Sequence, residues 1–266
     1  MTGGGWRLDE VDGVLLLRST AIEACATVAH AFSTRVAFGR TDFDLGPAEG
    51  ATREAVLRRA AFLRAAGFGA AEPSILRQVH GAAIVDAIPG LDRPPSADGV
   101  IRVAARGSSA PVPAVRTADC VAVLLVDRRA RAAAAVHAGW RGIAAAIGFA
   151  AVARFATEGI EGGDLVVAMG PAILGCCYEV GDDVLSALQA VCGPADAYLA
   201  RSLSGRTAID LHAALRAQLR AAGVPAGSIH AAPFCTRCRN DMFFSFRAEG
   251  PAAGRLMAAV GPAGGP

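Results

Sequence analysis

The sequence predicts an α/β protein built on a mixed sheet, and three observations predict it. Apolar runs fit for buried strands occur beside amphipathic helical stretches, so both element types are required. Their order is mixed rather than a strict strand–helix alternation, which argues against a doubly wound nucleotide fold. No Gly-rich phosphate fingerprint is present: GPAILG after residues 165–170 lacks G-x-G-x-x-G, and GGGW at the start precedes no helix. With 266 residues, 53% of them apolar, and no linker or repeat, a single domain over 1–266 is expected. Its ends, 1–10 and 261–266, are expected to fray.

Along the chain, TREAVLRRAAFLRAA at 52–66 reads as a helix with Val56, Ala60 and Leu63 on one face, capped by Thr52 and stopped at Gly67. Residues 73–88 alternate and are β-branched, so strand-like; LDRPPSADG at 91–99 is loop chemistry. VPAVRTADCVAVLLVDRRA at 112–130 contains a continuous apolar run for a buried strand, closed by a charged turn. RAAAAVH follows as a strand, although alanine is a weak strand former. GIAAAIGFAAVA at 142–153 falls well below the ~20 residues that span a bilayer and reads as part of one buried helix over 143–157. LVVAMG at 165–170 is another buried strand. Helices are expected at 179–193, on Val184, Leu188 and Val191, and at 210–223, on Leu211, Leu215 and Leu219 with Asp210 as cap. SIHAAPFCT, MFFSFRAEG and GRLMAAVG return to strand-like pieces.

Composition excludes several function classes. The net charge of +2 lacks a nucleic-acid footprint. All 26 basic residues are arginine, so a Schiff-base lysine and a P-loop lysine are both excluded. Anions must be met by arginine forks and backbone amides. The N-terminus lacks the basic and apolar regions of a signal peptide, so a cytoplasmic protein without a membrane partner is expected. Its seven cysteines would then favour metal binding or catalysis over disulfides.

Among the five histidines, His30, His212 and His230 lie in surroundings that call for no function. His80 in RQVHG and His137 in AVHAGWRG each end a strand-like run before small residues, and Cys120 in RTADC precedes another. Three N/S ligands and one open position make the stoichiometry of a catalytic zinc. Their separations of 40 and 17 residues prove nothing, because such ligands converge only through the fold. The alternative is two polar histidines and one inert buried cysteine. CTRC at 235–238 has no second CxxC partner, and vicinal Cys176-Cys177 is a poor pair for one ion, so no zinc ribbon is expected. Arg35, Arg141 and Arg247 stand in apolar or aromatic contexts and require anionic partners, whether structural carboxylates, phosphate or a substrate carboxylate.

Together RQVHG, TADC, HAGWRG, GPAILGCCYEVG and FFSFR resemble the YfiH-type or multicopper polyphenol oxidase (laccase) domain family, to which human FAMIN is similar. The resemblance runs from about FSTR at 32–35 to GRLMAAV at 254–260. It implies a layered αββα sandwich and one Zn2+ on His80, Cys120 and His137. It further implies purine nucleoside phosphorolysis, of adenosine, inosine, guanosine and S-methyl-5'-thioadenosine, with adenosine deamination. Purine nucleosides and phosphate are the expected partners of a monomer or weak homo-oligomer. The family is also linked to editing of muropeptide precursors. A copper laccase would need about ten histidines, so copper is disfavoured. Zinc-assisted attack at C6 of adenine would deaminate it, with Asp119 as proton shuttle or ligand orienter. Arg35 and Arg141 are placed near phosphate, Trp140 and Phe244 against a purine, and Asp98 in SADGV at the site. Asp44 and Phe246 depart from the family's usual Asn and Tyr. A Cys120–His137 hydrolase is the competing enzyme reading.

Overall fold

The computed structural model describes residues 5–25, 27–90, 93–104 and 110–262. In chain order its elements are β1 (Trp6–Val11), β2 (Val14–Ser19), α1 (Thr20–Glu23), β3 (Val28–Ala37), α2 (Arg53–Ala66), β4 (Ile84–Asp86), β5 (Gly99–Val103), β6 (Ala114–Thr117), β7 (Val121–Asp127) and β8 (Ala132–Ala138). There follow α3 (Trp140–Ala144), α4 (Ile147–Ala156), β9 (Leu165–Met169), α5 (Asp182–Cys192), β10 (Leu199–Arg201), β11 (Thr207–Ile209), α6 (Leu211–Ala221), β12 (Ile229–Ala231), α7 (Phe246–Glu249) and β13 (Leu256–Pro262).

Two sheets pack face to face. The first is antiparallel, in the order β1-β2-β3-β13-β6; the second is mixed, in the order β12-β9-β7-β8-β5-β4. The period-2 alternation of β7 decides the layers. Ala122, Leu124 and Val126 meet Leu17, Phe32, Val115 and Val260 of the first sheet. Val121, Val123 and Leu125 meet Ile143, Ile147, Phe155, Leu188, Leu215 and Leu219 of the helices behind. On the far face of the first sheet, Leu16, Ala31 and Ala259 pack against Phe62 and Leu63 of α2. The result is the expected αββα sandwich. β8 is buried along its whole length, and its alanines suit a strand covered on both faces.

Several expectations are corrected. Residues 6–10 do not fray: the hairpin pairs Trp6 with Ser19 through Val11 with Val14. Its turn is Asp12-Gly13, both at positive φ (51° and 76°), the twist-matched two-residue turn. Residues 261–262 end β13 beside β3, while 1–4 and 263–266 lie outside the described residues. On α2 the buried face runs through Ala55, Arg59, Phe62, Leu63 and Ala66, leaving Val56 exposed. Arg59 is tolerated there because its guanidinium donates to the Leu45 and Pro47 carbonyls. Of 73–88 only Ile84–Asp86 is a strand. The single helix over 143–157 is two, broken where Ala146 adopts φ +67°. MFFSF is not a strand but a turn leading into the one-turn α7.

Candidate metal centre and its arginine-lined cavity

β6 belongs to the first sheet and β7 to the second, so Ala118–Cys120 carry the chain across between them. Asp119 makes that crossing at φ +89°, a conformation uncommon outside glycine. Cys120 arrives at the start of β7, and His137 stands near the end of β8, opposite Ala122. His80 comes from an irregular loop, itself at φ +59°. Two strained residues at one place are the kind of outlier that marks functional sites.

The ligand atoms of His80, Cys120 and His137 all lie within 4.8 Å of one another. Cys120 Sγ is 4.0 Å from His80 Nε2, and the two imidazole rings stand 4.8 Å apart at 79°. His137 Nδ1 donates to buried Asp98 Oδ1 at 2.8 Å, which directs Nε2 toward the thiol. In a tetrahedral zinc site with Zn–S of about 2.3 Å and Zn–N of about 2.0–2.1 Å, sulfur and nitrogen sit roughly 3.5 Å apart. Cys120 Sγ and His80 Nε2 would close by about half an ångström around one such ion. Three protein ligands would leave a tetrahedral ion one further position, and all three residues line the same cavity.

Without metal the trio holds a proton between thiol and imidazole. Burial favours the neutral thiol, yet His137 and His80 outweigh it and bring Cys120 down to about 6. Burial likewise disfavours an imidazolium, yet the Cys120 thiolate and Asp98 hold His137 up at about 9. A bound cation replaces that proton. The glycines of HAGWRG serve close approach rather than turning. A Cβ on Gly139 would fall 2.8 Å from Cys120 Sγ and 3.1 Å from His80 Cδ2; one on Gly142 would fall 3.0 Å from the Gly81 carbonyl oxygen.

The trio opens into a cavity of about 630 Å³ lined by Arg77, Arg116, Arg141, Arg247 and Arg255. Asp119 is the one carboxylate on its wall among the described residues. Arg141 lies 4.4 Å over the Trp140 ring and pairs with no carboxylate among the described residues. Arg247 lies 5.1 Å over Tyr178. Arg116 is buried, donates to the Gly46 and Leu76 carbonyls, and is brought down to about 10 by burial and by Arg59 and Arg255. Trp140, Tyr178 and Phe246 supply aromatic wall.

A family profile described as multi-copper polyphenol oxidoreductase laccase matches residues 26–263. The chain belongs to this family. It is 34% identical to a purine nucleoside phosphorylase of Deinococcus radiodurans, over 94% of this chain and 93% of that one. It is 42% identical to adenosine deaminase RL5 of an unknown prokaryotic organism, over 55% of this chain and 56% of that protein. It is 41% identical to purine nucleoside phosphorylase YlmD of Geobacillus stearothermophilus over 54% of this chain. The matched segment thus spans about half the length of these last two relatives, 56% and 53%. The crystal structure of Bacillus licheniformis hypothetical protein YfiH superposes with a TM-score of 0.82 at 25% identity, covering 98% of this chain and 100% of that one.

In this laccase-family chain the structure brings together His80, Cys120, His137, Asp119, Arg141 and Arg247, but not Arg35, Phe244 or Asp98 as ligand contacts. Arg35 donates to the Thr41 and Asn240 carbonyls, pairs with Glu249 at 3.0 Å and covers the Phe244 ring, so it has no fork to spare for phosphate. Phe244 is core, packed with Met242, Phe243 and Leu256. Asp98 is fully buried behind the imidazoles; it accepts from His137 and the amides of Val79, His80 and Gly81. Asp119 lines the cavity, but its carboxylate accepts from the Thr236 hydroxyl and the Arg247 amide, each at 2.6 Å. Sequence reasoning missed Arg77, Arg116 and Arg255 as cavity residues. Each sits inside a motif already singled out, RQVHG, RTADC and GRLMAAV, and that was the available signal.

Proposed function

We propose that this chain is a zinc-dependent purine nucleoside phosphorylase that also deaminates adenosine. One observation carries the reading: a His₂Cys trio faces the same cavity as five arginines and three aromatic rings. The printed names of the relatives, purine nucleoside phosphorylase and adenosine deaminase, agree with it.

His80, Cys120 and His137 would hold the zinc, which when bound supplies a Lewis acid that makes water nucleophilic near neutral pH. Asp98 keeps the His137 proton on Nδ1, so Nε2 stays available as ligand. Arg141 and its neighbours bind the phosphate dianion as planar forks. In phosphorolysis a phosphate oxygen takes the ribosyl carbon from the purine nitrogen, and the purine leaves with a proton. Trp140, Tyr178 and Phe246 offer faces to the purine ring. Burial, with Cys120 and Asp119 nearby, pushes Tyr178 up to about 12, so its hydroxyl remains a donor. Asp119, with both oxygens engaged, braces the floor rather than shuttling protons.

Copper oxidase chemistry is disfavoured by the imidazoles. His30 Nε2 accepts from the Ser19 amide, and His212 Nε2 bonds to the Gly170 carbonyl. Only His80 and His137 join a metal-competent group among the described residues, too few for a multicopper set. The Cys–His hydrolase reading has one observation in its favour, the thiolate–imidazolium pair of the metal-free trio.

The test is incubation with adenosine, with and without phosphate. Adenine appearing only with phosphate, and inosine with or without it, is the expected result; absence of every product overturns the reading. His80→Ala, Cys120→Ala and His137→Ala should each lose the zinc of this trio and turnover together. Undiminished turnover by zinc-free protein would transfer the case to the hydrolase.

A further inference from the structure

Four cysteines that the sequence scatters over 62 residues meet in the fold. The thiols of Cys176, Cys177, Cys235 and Cys238 all lie within 4.8 Å of one another, a group separate from the His80–Cys120–His137 trio. Cys177 Sγ is 3.4 Å and Cys176 Sγ 3.7 Å from Cys238 Sγ. All four are free thiols. Sulfurs around a tetrahedral zinc with Zn–S of about 2.3 Å stand roughly 3.8 Å apart. The objection that vicinal cysteines cannot share one ion fails here. The turn at Leu174–Tyr178, closed by the amides of Cys177 and Tyr178 on the Leu174 carbonyl, points both thiols toward Cys238.

The surroundings are those of a thiolate cage. The Leu174 amide donates to Cys235 Sγ at 3.5 Å.

We propose that Cys176, Cys177, Cys235 and Cys238 bind a second zinc ion in a closed, structural Cys₄ site. Zn²⁺ replaces four thiol protons, which leave to solvent, and no open position remains for substrate. The ion clamps two turns that shape the cavity. One is joined to the other by the Ala172–Cys235 bridge and ends in Tyr178 on the cavity wall. The other carries Thr236, whose hydroxyl holds Asp119 beside Cys120.

The test counts zinc in full-length protein purified under reducing conditions. Two ions per chain are expected. The His80→Ala/Cys120→Ala/His137→Ala variant should keep one, and its cobalt-substituted form should show the strong sulfur-to-cobalt charge-transfer bands of a tetrahedral thiolate site. Cys238→Ser, at the most exposed of the four positions, added to that triple variant should lose the remaining ion and those bands with circular dichroism unchanged. A triple variant that folds without metal overturns the proposal. So does a Cys238→Ser protein with full zinc content. Native chain lighter by two hydrogens per cysteine pair, with no second ion, replaces the cage with a disulfide and overturns it equally. Neither arm depends on nucleoside turnover, so failure of the proposed activity leaves this result readable.

Discussion

Replacing Asp98 by Asn tests whether the imidazole ligands are held from behind. The carboxylate takes four N–H donors: His137 Nδ1 at 2.8 Å and the His80 amide at 2.9 Å on one oxygen, the Gly81 amide at 2.7 Å and the Val79 amide at 3.2 Å on the other. An asparagine has one acceptor to offer. If its oxygen faces Gly81 and Val79, its NH₂ confronts His137. The imidazole must then move its proton to Nε2, where it blocks ligation. If the oxygen faces His137 and the His80 amide, the Gly81 and Val79 amides lose their partner. Each buried donor left unpaired costs about 1–3 kcal/mol, so a loss of roughly 2–5 kcal/mol is expected. Loss of such a supporting partner typically weakens metal binding about 10–100-fold. Zinc affinity by competition with a chromophoric chelator, and urea denaturation of the zinc-free protein, measure the two effects. Affinity within twofold of the native chain together with an unmoved midpoint would refute this account of Asp98.

Gly139→Ala tests the close approach of HAGWRG. Gly139 has φ −81°, which alanine adopts freely, so only the clash with Cys120 Sγ and His80 Cδ2 acts. Zinc affinity should fall at least about tenfold, with a stability loss of about 1–3 kcal/mol; native affinity by calorimetry would contradict it. Arg141→Ala should raise KM for phosphate about tenfold or more, since a hydrogen bond to a charged group contributes about 1.5–3 kcal/mol. An equal rise in nucleoside KM would place Arg141 elsewhere. In zinc-free protein, His137 alone would lose stabilisation as pH rises from 6.5 through about 9, while Cys120 alone would gain it from about 6 up to 9.0. The two slopes oppose, so stability should stay nearly flat across that window while Cys120 alkylation stays fast down to about pH 6. An alkylation profile centred near the ordinary thiol value would refute the pair. Below that range, Asp98 should impose an acid limb, because its carboxylate, held below the usual range despite burial, surrenders its contribution as it protonates.

Local pattern alone determined β7, β8 and β9 and helices α2, α5 and α6. Apolar runs, the Thr52 and Asp210 caps and the Gly67 stop act over a few residues, and the structure keeps all of them. The same pattern misjudged which face of α2 is buried, because Arg59 finds carbonyl partners that no periodicity encodes. The first hairpin was missed, although Asp-Gly in VDGV carries its turn signal; the break in the helix at Ala146 has no such signal, since alanine marks no left-handed turn.

The metal trio was legible as residue types in motifs. Their meeting was not legible in the spacing and was expected only from the family resemblance, because His80, Cys120 and His137 converge only where the chain crosses from one sheet to the other. Tertiary structure alone assigned the arginines. Arg35 and Arg141 carry the same fork in similar contexts, yet Arg35 is used up by Glu249 and two carbonyls while Arg141 stacks at an open cavity. It alone gathered the four cysteines around one point. Sequence sets which groups a chain can offer. Convergence of groups dozens of residues apart, and the partners that exhaust or spare each one, are settled by long-range packing.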